Sequence, residues 1–429
     1  MAYARAALGV FLCVFGFVAQ ARAEDLTWAQ VKDRALKRSP SAVEGKQVVR
    51  AARAEAEGAG RWPRENPVLT GSVETGAPFG HSHDLGVSVG IEQAIDVAGV
   101  AAASGRAAGA QVTAAEKEAA VLRQDALADA ANAFIDLDRA QRSLSIWVEL
   151  DAMFRSIAAG TTRAAEAGER SELDAILAEA DSADASADLA QAKIDLAAAQ
   201  ARLAVLIGAA DPASLRVTGA AETPEPDSRT VAELTAVAAR RRPELSLWRA
   251  RLAEAEARRS FTGRAVVPQP TVGVGFRWDR SELGRESLLG APGGLLGIRD
   301  TGQHVEVTLS IPLPFFDRNQ ANRARALADA STAREGADIA DRALKSDIMR
   351  AKAAVDASWA ALGRYQAILP RLAKAQGLLE KGFAAGQIGL FDTLTGAERV
   401  ARARVRAIEA RSAYLKARAE LARALGEEP

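Results

Sequence analysis

"LSIPLPFFDRNQANRARA", Leu309 to Ala326, changes structural character halfway along. Leu309, Ile311 and Leu313 alternate with other residues, as one face of a β-strand does. Pro312 and Pro314 interrupt that pattern, and an Asp317-Arg318-Asn319 turn follows. The alanine- and arginine-rich run after it reads as helix. The question is what such a strand does in a chain that otherwise looks helical.

Upstream of the switch the alternation is strict. Val305, Val307, Leu309, Ile311 and Leu313 oppose Glu306, Thr308 and Ser310, which predicts a strand over 303–314. Val272, Val274, Phe276 and Trp278 oppose Thr271, Gly273, Gly275 and Arg277, predicting a strand over 269–279. Two further strands are predicted over 66–75 and 84–93, the latter with Leu85, Val87, Val89 and Ile91 on one face. Strands of roughly ten residues with this pattern match a transmembrane barrel, lipid outside and water inside. A soluble sheet with one buried face gives the same alternation. A leader sequence and the even strand count favour the barrel. Four strands cannot close around water, and an open sheet cannot stand in lipid, so several chains must share one barrel.

The chain repeats itself. Pro40 and Pro243 are separated by the same interval as Pro67 and Pro270, 203 residues. "AGERSELDAILAEA" from Ala167 resembles "AGQIGLFDTLTGAE" from Ala385, with Asp174 opposite Asp392. "ARLAVLIG" ending at Gly208 resembles "AELARALG" ending at Gly426. Two copies of one design, 24–219 and 230–429, are joined by a Pro/Glu-rich linker at 220–229. In each copy a helix broken at its proline (27–62, 230–263) leads to two strands. A helical stretch of about sixty residues follows (about 99–158, 319–381), then a glycine turn and a returning helix (171–207, 390–425). Each long helix extends roughly 90 Å at 1.5 Å per residue, too long for a compact domain. Alanine dominates one face of "AKIDLAAAQARLAVLIG", and Arg123, Asp125, Asp129, Asp136, Asp138 and Arg139 fall on other faces. That suits the wall of a coiled-coil tube or an ordinary solvated coiled coil.

Among the 429 residues the formal net charge is zero, so no basic footprint points to nucleic acid. Arg5, the apolar run Ala6–Gln20 and the small-x-small "ARA" at 21–23 predict a secretory leader over 1–23, with Glu24 as the mature start. The one cysteine, Cys13, lies inside that leader, and Phe11 and Leu12 before it do not suit lipidation. The mature chain then has no thiol chemistry.

The duplicated helix–strand–strand–long-helix–turn–helix unit, the "LPFFDRNQANRARA" junction and the two "AG" turns resemble the TolC-type outer-membrane efflux channels. Pro312, Pro314, Phe315, Phe316, Asp317, Arg318 and Asn319 look most like the cobalt–zinc–cadmium branch of that family. The resemblance implies a mostly α fold with a membrane β part. Duplicated long-helix hairpins form an α-helical barrel, and four strands per chain contribute to a shared twelve-stranded trimeric β-barrel. It implies a homotrimer in the outer-membrane lipid, helices in the periplasm, a periplasmic adaptor and an inner-membrane pump of the RND type. No nucleic acid and no cofactor are expected. The implied role is a passive duct for heavy-metal cations. The same duct serving organic compounds or peptide secretion, and a soluble periplasmic coiled-coil adaptor, are the alternatives.

The opening stretch then has an answer: the strand belongs to the barrel. Pro312 and Pro314 lack an N–H and end ladder pairing where the chain leaves the membrane. Asp317 or Asn319 can cap the following helix by accepting from its free amides. In the first copy, which has no prolines there, Asp96 takes the Asp317 part and Gly99 relieves the bend.

The glycine turns would form the periplasmic tip, where the adaptor docks and the tunnel is gated. Its residues are Gly168, Glu169, Arg170, Ser171 and Asp174 in one copy, and Gly386, Gln387, Ile388, Gly389 and Asp392 in the other. Ordinary hairpin chemistry, glycine as a C-cap and an acid in the first turn, uses the same residues. His81 and His83 form an H-x-H pair between the first two strands, a candidate metal site, and His304 opens the fourth strand. No cysteine or acidic cluster completes a tetrahedral set, so surface histidines are the plainer reading. The sequence has no phosphate loop, H-E-x-x-H or C-x-x-C motif, so an enzyme is not expected.

Overall fold

A computed structural model of the chain describes residues 24–76, 83–218, 223–283 and 298–429. The predicted leader, 1–23, lies outside these residues. In chain order the elements are β1 (Glu24–Leu26), α1 (Trp28–Arg38), α2 (Pro40–Ala56), β2 (Val68–Gly76) and β3 (His83–Ala94). Next come α3 (Val100–Glu166), α4 (Glu172–Ile207), β4 (Leu215–Val217), α5 (Val231–Arg241) and α6 (Pro243–Arg264). The chain closes with β5 (Thr271–Leu283), β6 (Ile298–Ser310), α7 (Gln320–Ala384) and α8 (Leu390–Leu425).

Local rules explain the boundaries. Ser39 and Arg242 are extended (ψ 148° and 119°), as residues before proline must be. Each proline then starts a helix, where its missing N–H costs nothing. Thr230 begins α5 with a reciprocal cap: its N–H donates to Glu233 Oε2 at 2.7 Å, and Glu233 N–H donates to Thr230 Oγ1 at 3.3 Å. β6 stops pairing at Ser310, opposite Thr271, although the alternation runs on to Leu313. The proline at 312 cannot donate to a ladder, so the pattern outlasts the strand.

The chain folds as two compact units, and they cut across the sequence repeats. One contains 24–39, 129–226 and 355–419; the other contains 40–128, 227–354 and 420–429. Equivalent features of the two copies gather in the same unit.

In the first unit, β1 and β4 form a short parallel ribbon, Glu24 opposite Leu215 and Leu26 opposite Val217. Leu26, Val31, Phe134, Leu137, Leu203, Ile207 and Leu215 are buried together beside it. Along α4 the buried alanines Ala178, Ala185, Ala192 and Ala199 recur every seven residues, a coiled-coil seam. Leu150, Phe154, Leu390 and Leu394 pack with Ala178 and Ala185 in a second cluster.

Several charges that the sequence places on outer faces are interhelical pairs. In the first unit Asp138 accepts from Arg411 at 2.7 Å and Asp136 from Lys416 at 2.6 Å. In the second, Asp125 accepts from Arg423 at 2.7 Å. Alanine seams bring α3 and α8 close enough for such side chains to meet, so these charges need partners and not only water.

The linker is tied down. Tyr414, fully buried, donates its hydroxyl to Pro224 O at 2.5 Å and lies 4.9 Å from the Trp359 ring. Arg411 Nε donates to Thr223 Oγ1 at 3.2 Å.

The second unit carries a four-stranded antiparallel sheet in the order β2-β3-β5-β6. The middle pairing, β3 with β5, joins the two sequence copies, with Val89 opposite Phe276 and Ile91 opposite Val274.

Candidate functional site

The sheet register aligns the alternation of all four strands. One face carries Leu69, Ile91, Val274 and Val307 in a row, and Val89, Phe276 and Val305 in the next. The opposite face carries Ser72, Ser88, Arg277 and His304 in a row, flanked by Glu74, Asp279 and Glu306. Among the described residues nothing covers the apolar face: Val305 is 76% exposed, Val307 71% and Leu69 73%. A soluble sheet with one buried face would cover these side chains, and here they are bare. The polar face is internally matched. Ser72 and Ser88 hydroxyls are 2.9 Å apart, and Arg277 lies 3.5 Å from Glu74 and 3.9 Å from Glu306.

Two junctions carry the sheet into the long helices. Gly99 immediately precedes α3 with φ 66°, and Asn319 immediately precedes α7 with φ 56°. The two copies thus share one left-handed entry, made by glycine in one and asparagine in the other. A signal was available in the sequence: asparagine tolerates this region best after glycine, and it stands where the other copy has glycine.

The capping differs between copies. Asp96 accepts from Ala98 N–H at 3.2 Å, Val100 N–H at 2.8 Å and Ala101 N–H at 2.7 Å, a true helix cap. Burial alone would raise its pKa, but these amides win and hold it below the usual carboxylate value. Asp317 instead accepts from Asn319 N–H at 2.8 Å, and Asn319 Oδ1 accepts from the Asn322 side chain at 2.6 Å. Asp317 and Asn319 thus use their side-chain oxygens on the turn amide and on Asn322, where the sequence predicts that one of them accepts from the helix amides. Pro312 and Pro314 lie past the last ladder pair, on the rim of a cavity beside this junction.

The tips lie in the first unit and share one geometry. Gly168 and Gly386 adopt φ 76° and 68°. Glu169 N–H donates to Ala164 O at 2.8 Å and Gln387 N–H to Gly382 O at 2.8 Å, the same helix-ending bond. Ser171 caps α4 by accepting from Leu173 N–H at 3.1 Å; Gly389 holds the corresponding place before α8 without a side chain. Asp174 and Asp392 are each the third residue of their helix, where the macrodipole favours an acid. Arg170 stacks over the Phe383 ring at 5.8 Å, joining the two hairpins, and Ile388 lies against Gly382. A helix hairpin needs this geometry in any case; docking or gating would be an additional role.

His81 and the side chain of His83 lie outside the described residues; the His83 backbone pairs with Glu282. His304 sits inside β6 opposite Arg277, not at its start, and its Nε2 is 3.2 Å from Asp279. Among the described residues no three His, Cys, Asp or Glu side chains group as metal ligands.

A sheet with one bare apolar face and one charged face, in a chain with paired long helices, fits a membrane channel protein. The outer membrane efflux protein family matches residues 31–209 and 234–427, one stretch in each copy, and the chain belongs to that family. By that family it is an outer membrane efflux protein and not an enzyme. Among solved structures it is similar to a membrane protein from Pseudomonas aeruginosa, at 21% identity and TM-score 0.71, covering 95% of this chain and 92% of that one. The Campylobacter jejuni CmeC outer membrane channel gives 14% identity and TM-score 0.71, covering 93% and 85%. CusC, whose structures describe transmembrane channel formation, gives 16% identity and TM-score 0.67, covering 94% and 92%. These likenesses are of fold. No curated protein matches by sequence.

Proposed function

We propose that three copies of this chain build one twelve-stranded barrel and act as the outer-membrane duct of a tripartite efflux system. The observation that carries this reading is the four-stranded sheet, whose outer strands β2 and β6 each pair on one side only among the described residues. Its bare apolar face belongs in lipid, and lipid tolerates no open edge. Pairing β6 of one copy with β2 of the next satisfies both edges and surrounds the polar face with water. An adaptor and an inner-membrane RND pump supply energy and cargo, and the tips at Gly168–Asp174 and Gly386–Asp392 are where they engage. Recovery of a heat-modifiable trimer band from outer-membrane fractions tests this; a monomer soluble without detergent would sink it.

For cargo, the reading is heavy-metal cations, supported by the Pro312–Asn319 junction and its resemblance to the cobalt–zinc–cadmium branch. A deletion strain should become selectively sensitive to zinc, cobalt, cadmium or copper. Sensitivity confined to detergents and dyes would replace the metal cargo with organic compounds.

A further inference from the structure

Beside the junction before α7, the second unit holds a cavity of ≈ 1000 Å³. The end of α6, the 265–268 and 312–319 connections and the first turns of α7 line it. Arg64, Arg258, Arg318 and Arg325 reach it from four separate segments. Among the described residues the carboxylates on its wall are Asp317 and Asp329, so the wall is net cationic. None of the four guanidiniums is bridged to a carboxylate among the described residues, whereas Arg242, Arg411 and Arg423 elsewhere are. Arg258 also feels the Glu254 carboxylate one helical turn away, but the like charges on this wall still repel each other, and an anion relieves that repulsion.

The rest of the wall is mostly apolar, with Thr262, Asn319 and Asn322 as its neutral polar members. Phe261, Leu313 and Phe316 contribute to it, Arg64 stacks over Phe261 at 5.6 Å, and Phe316 is 94% exposed. Trp62 and Phe315 are exposed nearby in sequence, a composition typical of the aromatic girdle where a barrel meets its interface. The apolar stripe of β6 continues past its last ladder pair through Ile311 and Leu313 to this wall.

From this arrangement we infer that the cavity is a binding site for an anionic glycerophospholipid of the surrounding bilayer. The guanidiniums take the phosphate, and Phe261, Leu313 and Phe316 meet the acyl chains. Arginine forks match phosphate oxygens in pairs, and the adjoining apolar wall distinguishes a lipid from a free anion. The inference rests on the outer-membrane reading above.

The test uses the full chain, extracted from outer membranes and examined by native mass spectrometry. Phosphatidylglycerol, phosphatidylcholine and inorganic phosphate are added in turn. Arg258→Gln with Arg325→Gln forms the test variant; Arg259→Gln, on α6 but off the cavity wall, is the control. Phosphatidylglycerol should bind the test variant on the order of tenfold more weakly than the parent or the control. Phosphatidylcholine should bind weakly throughout, and inorganic phosphate should not displace the lipid. Equal retention of phosphatidylglycerol by the test variant, or displacement by phosphate alone, would overturn the site. So would a weakened oligomer with unchanged lipid retention, which would mean that a second copy of the chain fills the cavity. A parent chain absent from the membrane fraction would instead overturn the proposed function, so the two failures are distinguishable.

Discussion

Gly99 and Asn319 hold the same left-handed backbone at the entrances to the two longest helices, φ 66° and 56°, although their flanking sequences differ. What the duplication preserved here is a dihedral angle. Replacing Asn319 by Gly keeps the dihedral free of strain and should cost only its side-chain bonds to Thr262 O and Asn322, about 0.5–1.5 kcal/mol each. Asn319→Val and Gly99→Val should each cost ~1–2 kcal/mol of backbone strain, the usual penalty for an L-residue in this region. Thermal melting of the purified protein in detergent, compared across the three variants, checks the ordering.

The carboxylate of Asp96 caps α3 through the amides of Val100 and Ala101. Asp96→Ala should cost about 0.5–2 kcal/mol, the range for losing a helix cap. Its pKa is lowered in the folded protein, so its contribution is complete above the ordinary carboxylate value and is lost as pH falls through the lowered one. An acid-unfolding titration should therefore show a smaller pH dependence in Asp96→Asn than in the parent.

Tyr414 ties the linker to α8. Its hydroxyl bond to Pro224 predicts a loss of about 0.5–1.5 kcal/mol in Tyr414→Phe. The ring itself is fully buried against Trp359, so Tyr414→Ala should cost roughly 3–5 kcal/mol. Limited proteolysis gives an independent readout: cleavage near Pro224 should accelerate in both variants, more in the second. Unchanged cleavage in Tyr414→Ala would show that the linker is held by something else.

The two faces of the sheet should respond oppositely to charge. Val307→Arg places a cation on the bare apolar face and should cost ~2–4 kcal/mol if that row lies near the middle of the bilayer. Glu306→Gln, one residue away on the polar face, should fold as well as the parent, losing only the 3.9 Å pair with Arg277. Folding into lipid vesicles, followed by the heat-modifiable band, measures both. Equal effects would contradict the assignment of faces.

At the tips, Asp174→Ala and Asp392→Ala should alter single-channel conductance and lower cation preference while leaving the assembled protein intact. Each loses only an early-turn helix-dipole interaction of about 0.3–1 kcal/mol. Unchanged conductance and selectivity would confine both residues to hairpin chemistry.

Much of this protein was legible in its sequence because the signals were local. Strand alternation has a period of two, Pro40 and Pro243 break helices through their own rings, and Gly168 and Gly386 mark helix ends through their own dihedral freedom. The tertiary structure decided what depends on distant parts of the chain meeting. It drew each compact unit from both sequence copies, and it paired Glu24–Leu26 with Leu215–Val217. It turned Asp138 and Asp136 from surface charges into partners of Arg411 and Lys416, and it gathered four arginines from separate segments onto one cavity wall. A residue's own chemistry sets its preferred backbone and face. Which opposite charge lies within 3 Å depends on the path of the chain between them, and no local pattern encodes that path.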